Sequence, residues 1–167
     1  MILKEVHDKA EQTELSQQLI TGNISEQEYY NFISKMGLVY NDIESRGVIQ
    51  HPDLLRSDKF LIDSSMRRHQ PEFVQSVWDY IDYIETLPED KLWSHIYVHY
   101  LGDLYGGTVI KKVLPFSCAY LDFEDNAECI KYLRANAKMD PAQATICFEW
   151  VIRIYNELYE LSRPGSD

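Results

Sequence analysis

The chain has 167 residues, with 16 Lys+Arg against 27 Asp+Glu for a net charge of −11, and 45% of its residues are hydrophobic. The acidic balance excludes a general nucleic-acid binder, whose affinity comes from neutralising phosphates, and the apolar content excludes a disordered chain. Three cysteines (Cys118, Cys129 and Cys147) leave an odd one and form no C-x-x-C pair, so they read as reduced thiols of a cytoplasmic protein. The N-terminus is charged from Lys4 onward, unlike a signal peptide, and no run of about 18 apolar residues offers a membrane anchor. A first helix is expected from Leu3 to Ile20, stopped by Thr21-Gly22-Asn23. Ser25 and Glu28 form an S-x-x-E capping box that starts a second helix through Tyr29, Phe32, Met36, Tyr40 and Ile43. A third segment runs from Asp53 to Arg68. A fourth starts at Pro71 and stops at Leu87-Pro88. Lys91 to Lys112 reads as a long helix with a fault, ended by Pro115. Ser117 to Phe123 is a loop or an apolar contact segment, Asp125 to Asn136 a short helix, and Asp140-Pro141 the cap and first turn of the last helix. No period-2 alternation or hairpin signal appears. The pattern is all-α: about six to eight helices in one domain over residues 1–161, with 162–167 a flexible tail.

The fault is chemically informative. Gly102, Gly106 and Gly107 put three of the chain's seven glycines inside one apolar helix. Each costs about 1 kcal/mol against Ala in a helix interior, roughly 3 kcal/mol together. An inter-helix loop would explain that. So would a kinked helix whose bare backbone lies against a flat ligand, with Asp103 as the single acid among the glycines. His95 and His99, at i and i+4, have a spacing that can bind metal. The zincin pattern, however, needs a Glu where Ile96 stands, and no Glu lies three before any His, so the pair weighs as structural. His7 alone on the first helix weighs the same way.

Tyr100-Leu101-Gly102-Asp103-Leu104-Tyr105-Gly106-Gly107, followed by Val109-Ile110-Lys111-Lys112, closely resembles the distal-helix signature of heme oxygenases. Leu3-Lys4-Glu5-Val6-His7-Asp8-Lys9-Ala10-Glu11 is similar to the proximal helix of that family. Tyr155-Asn156-Glu157-Leu158 matches the end of its last core helix, and Tyr40 with Ile43-Glu44 fits its second. The resemblance implies a heme oxygenase-like bundle with a kinked distal helix. It implies a heme-degrading monooxygenase that binds heme as substrate and cofactor and opens it with O2 to biliverdin, CO and ferrous iron. Ferredoxin or an NADPH-dependent reductase would supply the electrons.

Carried over residue by residue, the resemblance makes His7 the axial ligand of iron. Gly102, Gly106 and Gly107 bring distal backbone close to the reacting oxygen. Asp103, with Tyr40 as its partner, holds a water network that delivers protons. Tyr97 lies near a heme propionate, and Lys4, Lys131 and Arg134 are propionate partners. Phe148 is a pocket wall, and His95 is structural. The chain departs from the family at Tyr105 (a small Ser), at His99 (an Arg) and at Val151 (often Asn). These departures keep open a non-catalytic heme-binding protein of the same fold. A fold relative with unrelated hydrolytic chemistry is a third possibility. Lys111-Lys112 and Arg67-Arg68 are the basic patches available to a redox partner in a monomer or weak dimer.

Overall fold

Helix boundaries follow local capping wherever a cap is encoded nearby. The computed structural model describes residues 2–65 and 72–163, and among these it contains eight α-helices and no strand. The segment expected as one helix from Leu3 to Ile20 is two: α1 (Ile2–Glu11) and α2 (Glu14–Thr21). Thr13 divides them. Its hydroxyl donates to Ala10 O at 2.9 Å and accepts from Ser16 N at 3.3 Å, ending one helix and capping the next. Gly22 closes α2 at φ 78, and a Cβ there would lie 2.6 Å from Val113 O, so the conformation and the space both require glycine.

The Ser25–Glu28 capping box opens α3 (Glu26–Ser45) as the sequence indicates. The third expected segment becomes a 3-10 turn at Pro52–Leu54 followed by α4 (Ser57–Ser65); Met66, Arg67 and Arg68 lie outside the described residues. α5 (Gln75–Thr86) begins later than expected, and Pro71 too lies outside the described residues. The start of α5 is set from a distance: the Glu157 carboxylate accepts Gln75 N and Ser76 N, both at 2.9 Å, and so caps the helix from α8 (Pro141–Leu161).

α6 (Glu89–Val113) runs unbroken through Gly102, Gly106 and Gly107, so the loop explanation of the glycines is excluded. The segment after it is a 3-10 turn at Ala119–Leu121, pinned by the buried Asp63 carboxylate, which accepts Ser117 Oγ, Ala119 N and Tyr120 N. Asp125 caps α7 (Asn126–Asn136) and Asp140 caps α8. Arg163, in the expected tail, pairs with Glu28 and donates to Tyr159 O at 3.1 Å, while residues 164–167 lie outside the described residues.

The core is built from fully buried faces, including Val39 and Ile43 of α3, Val77 and Ile84 of α5, Leu92 and Ile96 of α6, and Ile154 of α8. α1 and α6 both rest on α8, and α2 closes against α6. This leaves a cleft between α1 and α6 with α8 as its floor. Among the described residues no helix is long and apolar enough to cross a membrane.

Candidate functional site

Two adjoining cavities of about 460 and 420 Å³ open between α1, α6 and α8. They share His7, Glu11, Val98, Gly102, Gly106 and Phe148, so they form one cleft with an imidazole on one wall and bare helix backbone on the other. The volume and the largely apolar lining with few polar groups suit a small organic ligand. A Cβ added at Gly102 or Gly106 would meet nothing within 4 Å, so the protein itself does not need glycine at either position. What those glycines preserve is space inside the cleft.

His7 is about half exposed, at 48%, and faces the cleft with its ring set edge-on to Phe148 at 5.3 Å. Its Nδ1 lies 3.5 Å from Asp8 and its Nε2 lies 3.4 Å from Glu11. The two carboxylates flank the ring and orient the imidazole in the cleft.

On the opposite wall, Tyr40 of α3 donates to Asp103 Oδ2 at 2.5 Å. Burial pushes the Asp103 carboxyl up to about 7, against the opposing pull of the Tyr40 hydrogen bond and the Arg56 charge. Burial and the Asp103 charge hold Tyr40 well above its ordinary value, so the phenol remains the donor. The result is a carboxyl close to half-protonated at neutral pH beside a bare glycine wall, suited to hold a proton and give it up.

A second layer supports this wall. Tyr100 donates to Glu44 Oε2 at 2.7 Å, and Glu44 accepts Arg56 N and Ser57 N, capping α4. Arg56 is 1% exposed; its guanidinium is held by the carbonyls of Asp53, Leu54, Tyr120 and Asp122 and lies 3.8 Å over Phe123. Sequence reasoning missed Arg56. Its site is assembled from segments far apart in the chain, and no local motif announces it.

His95 and His99 share one partner. Tyr80 OH lies 2.7 Å from His95 Nδ1 and 2.8 Å from His99 Nε2, while His95 Nε2 lies 3.0 Å from Gln143 Oε1. An acceptor at Gln143 places the His95 proton on Nε2. Tyr80 then donates to His95 Nδ1 and accepts from His99 Nε2–H. Burial and neighbouring His95 push His99 down to about 3, so it is neutral, and its Nε2 is committed to Tyr80 rather than Asp103. Neither metal-capable cluster among the described residues includes this pair.

The other site residues divide sharply. Tyr97 and Phe148 line the cleft. Tyr105 lines it too, more than half exposed, and its hydroxyl accepts from Arg134 at 2.9 Å, which places Arg134 at the rim. Gly107 does not line it: a Cβ there would meet Leu121 Cδ2 at 2.9 Å, so this glycine admits the 3-10 turn Ala119–Leu121 rather than a ligand. Lys4 lies outside the lining and pairs with Asp8 at 3.1 Å, and the exposed Lys131 lies outside it as well. Lys111 pairs with Asp122.

A family model for heme oxygenase matches residues 3–145. The chain belongs to the heme oxygenase family. Heme oxygenase 2 of Macaca fascicularis is 27% identical over 196 aligned residues, taking in 93% of this chain and 62% of that protein. Heme oxygenase 2 of Mus musculus is 26% identical over 129, covering 66% of this chain and 41% of that protein. The chain thus spans less than two thirds of the length of these curated relatives. Among solved structures, the heme oxygenase of Leptospira interrogans superposes with a TM-score of 0.78 at 24% identity, over 93% of this chain and 95% of that one. Heme oxygenase-1 of the cyanobacterium Synechocystis, solved with heme, gives 0.79 at 21% identity, over 94% and 88%. At these identities the likeness establishes the heme oxygenase fold.

Proposed function

We propose that this chain is a heme-degrading oxygenase that takes heme as substrate and opens it with O2 to biliverdin, CO and ferrous iron, using electrons from ferredoxin or an NADPH-dependent reductase. The observation that carries this proposal is the pairing across one cleft of an accessible imidazole, His7, with a Tyr40-held carboxyl, Asp103, beside space kept open by Gly102 and Gly106. Heme supplies the redox-active iron and the ring carbon that is attacked. The residues fit such a group: the cleft is mostly apolar, its cationic rim at Arg134 suits a carboxylate, and the glycine wall admits a flat molecule.

His7 would hold the heme iron through one ring nitrogen, releasing that nitrogen's carboxylate contact, while the other carboxylate keeps the ring oriented. Phe148 and the apolar lining exclude water from one side. Asp103 holds and relays a proton through water rather than binding iron itself, which makes proton delivery gentle and directional. Tyr40 fixes the carboxyl and keeps its own proton. Arg134 exchanges its bond to Tyr105 for a bond to a substrate carboxylate. Three free thiols suit a reducing, cytoplasmic setting.

The non-catalytic alternative draws on the departures at Tyr105, His99 and Val151, of which Tyr105 stands in the cleft lining where the family has a small Ser. The test is to load the full chain with hemin, add ferredoxin and its reductase, and follow the spectrum. Conversion of the heme band to biliverdin supports turnover. Stable bound heme under the same electron supply favours the binding protein, and absence of heme binding contradicts both.

A further inference from the structure

Away from the α1/α6 cleft, three ligating groups of different chemistry converge where the chain enters the 3-10 turn Pro52–Leu54. A ring nitrogen of His51, a carboxylate oxygen of Asp53 and Sγ of Cys129 all lie within 4.8 Å of one another. His51 and Asp53 flank Pro52, whose ring fixes the backbone between them. Cys129 comes from the first turn of α7.

Each group is held from outside. Asp53 Oδ1 accepts Glu124 N and Oδ2 accepts Asp125 N, both at 2.9 Å. The His51 ring stacks on Tyr132 with centroids 5.1 Å apart and planes 19° from parallel. Tyr132 is itself fixed by Gln50 N, which donates to its hydroxyl at 2.8 Å. The Cys129 thiol donates to Asp53 Oδ2 at 3.3 Å. Outer contacts of this kind orient ligands at metal sites. One atom breaks the pattern of satisfaction: His51 Nε2 is buried and has no hydrogen-bond partner. Leaving such an atom unsatisfied is costly in a folded protein.

We propose that His51, Asp53 and Cys129 form a binding site for a divalent transition metal of the zinc class. An imidazole nitrogen, a carboxylate oxygen and a thiolate sulfur make a donor set that zinc accepts, whereas magnesium and calcium take oxygen ligands. On binding, the Cys129 S–H bond breaks and the sulfur lone pair binds the metal. One proton leaves to solvent, and no atom changes oxidation state. The metal thus takes the place of the proton that now lies between Cys129 and Asp53. Thiolate and carboxylate together offset its two positive charges. Arg56, 4.0 Å from Asp53, has its guanidinium engaged by backbone carbonyls and does not enter the donor set. Three protein ligands leave the fourth tetrahedral position for water. This site is independent of the heme reading and stands whether or not heme is turned over.

Cobalt(II) is the probe, because zinc is spectroscopically silent. The full chain, kept reduced with a phosphine and free of hemin, is titrated with Co²⁺. The expected result is a sulfur-to-cobalt charge-transfer band that Zn²⁺ abolishes by competition. Cys129→Ser removes the band. His51→Ala, at a position that is only partly buried, weakens Co²⁺ binding by at least about 10–100-fold, the range lost even when outer partners of a metal site are removed. His7→Ala leaves the sulfur-to-cobalt band in place, which separates this site from the sulfur-free His7, Asp8 and Glu11 cluster. Far-UV circular dichroism checks that each variant is folded. No charge-transfer band in the parent, a band that survives Cys129→Ser, or Co²⁺ affinity unaffected by His51→Ala would each overturn the assignment.

Discussion

Replacing Asp103 by Asn separates the chemistry of the site from its energetics. Folding raises this carboxyl from its ordinary 3.8 to about 7. Between those values the unfolded chain has lost the proton and the folded chain retains it, so stability falls as pH rises through this window. Each pH unit is worth about 1.4 kcal/mol. The span gives about 4 kcal/mol, reduced to about 2–4 kcal/mol because solvent reaches the carboxyl from the cleft. Asn titrates in neither state, and its carbonyl still accepts from Tyr40. Asp103→Asn is therefore expected to match the parent in stability near pH 4 and to exceed it by about 2–4 kcal/mol at pH 8. Its biliverdin formation falls about 100-fold or more, the range for losing a positioned acid–base group, while hemin still binds through His7. The assay is urea unfolding of both proteins from pH 4 to 8, beside single-turnover product yield. A stability difference that does not change with pH would refute the reasoning, as would an Asn variant that forms biliverdin at the parent's rate.

Five further substitutions probe the cleft and the helix that walls it. His7→Ala is expected to lose the iron–histidine stretch in resonance Raman and the native heme spectrum, and added imidazole should restore both. Gly106→Ala and Gly107→Ala should act oppositely on stability. The first meets open space and gains up to about 1 kcal/mol of helix propensity while slowing ligand entry. The second drives a methyl into Leu121 and lowers the melting temperature. Tyr40→Phe removes the hydrogen bond to Asp103 and should reduce biliverdin yield less than Asp103→Asn does, measured in the same single-turnover assay. Tyr105→Phe frees Arg134 from its phenol partner; stopped-flow mixing with hemin should show faster association, and an unchanged rate would show that this bond does not guard the cleft.

The parts of this structure legible in sequence are those whose causes are local. Ser25-x-x-Glu28 and Asp140-Pro141 start helices because their donors and acceptors lie within one turn. The glycine cluster was readable as a wall that admits a ligand, but its members were not separable. Gly107 differs from Gly102 and Gly106 only because Leu121 folds back onto it, a contact no spacing rule encodes. The break at Thr13 was missed because apolar periodicity continues across it, although a hydroxyl cap was present to be read. The start of α5 depends on Glu157, 82 residues further along the chain. Asp103 could be singled out by its place among glycines and by resemblance. The charge that tempers it comes from Arg56, invisible until the chain is folded. Lys4 and Lys131 came from the resemblance and their charge; neither is among the cleft-lining residues, and Lys4 pairs instead with Asp8.

Single-turnover conversion of bound hemin, with ferredoxin and its reductase supplying electrons, tests the central claim most directly. Biliverdin is counted per heme in the parent, His7→Ala and Asp103→Asn. Close to one biliverdin per heme is expected for the parent, with loss of axial ligation in His7→Ala and intact binding without turnover in Asp103→Asn. A parent that binds heme, accepts electrons and yields no biliverdin would contradict it.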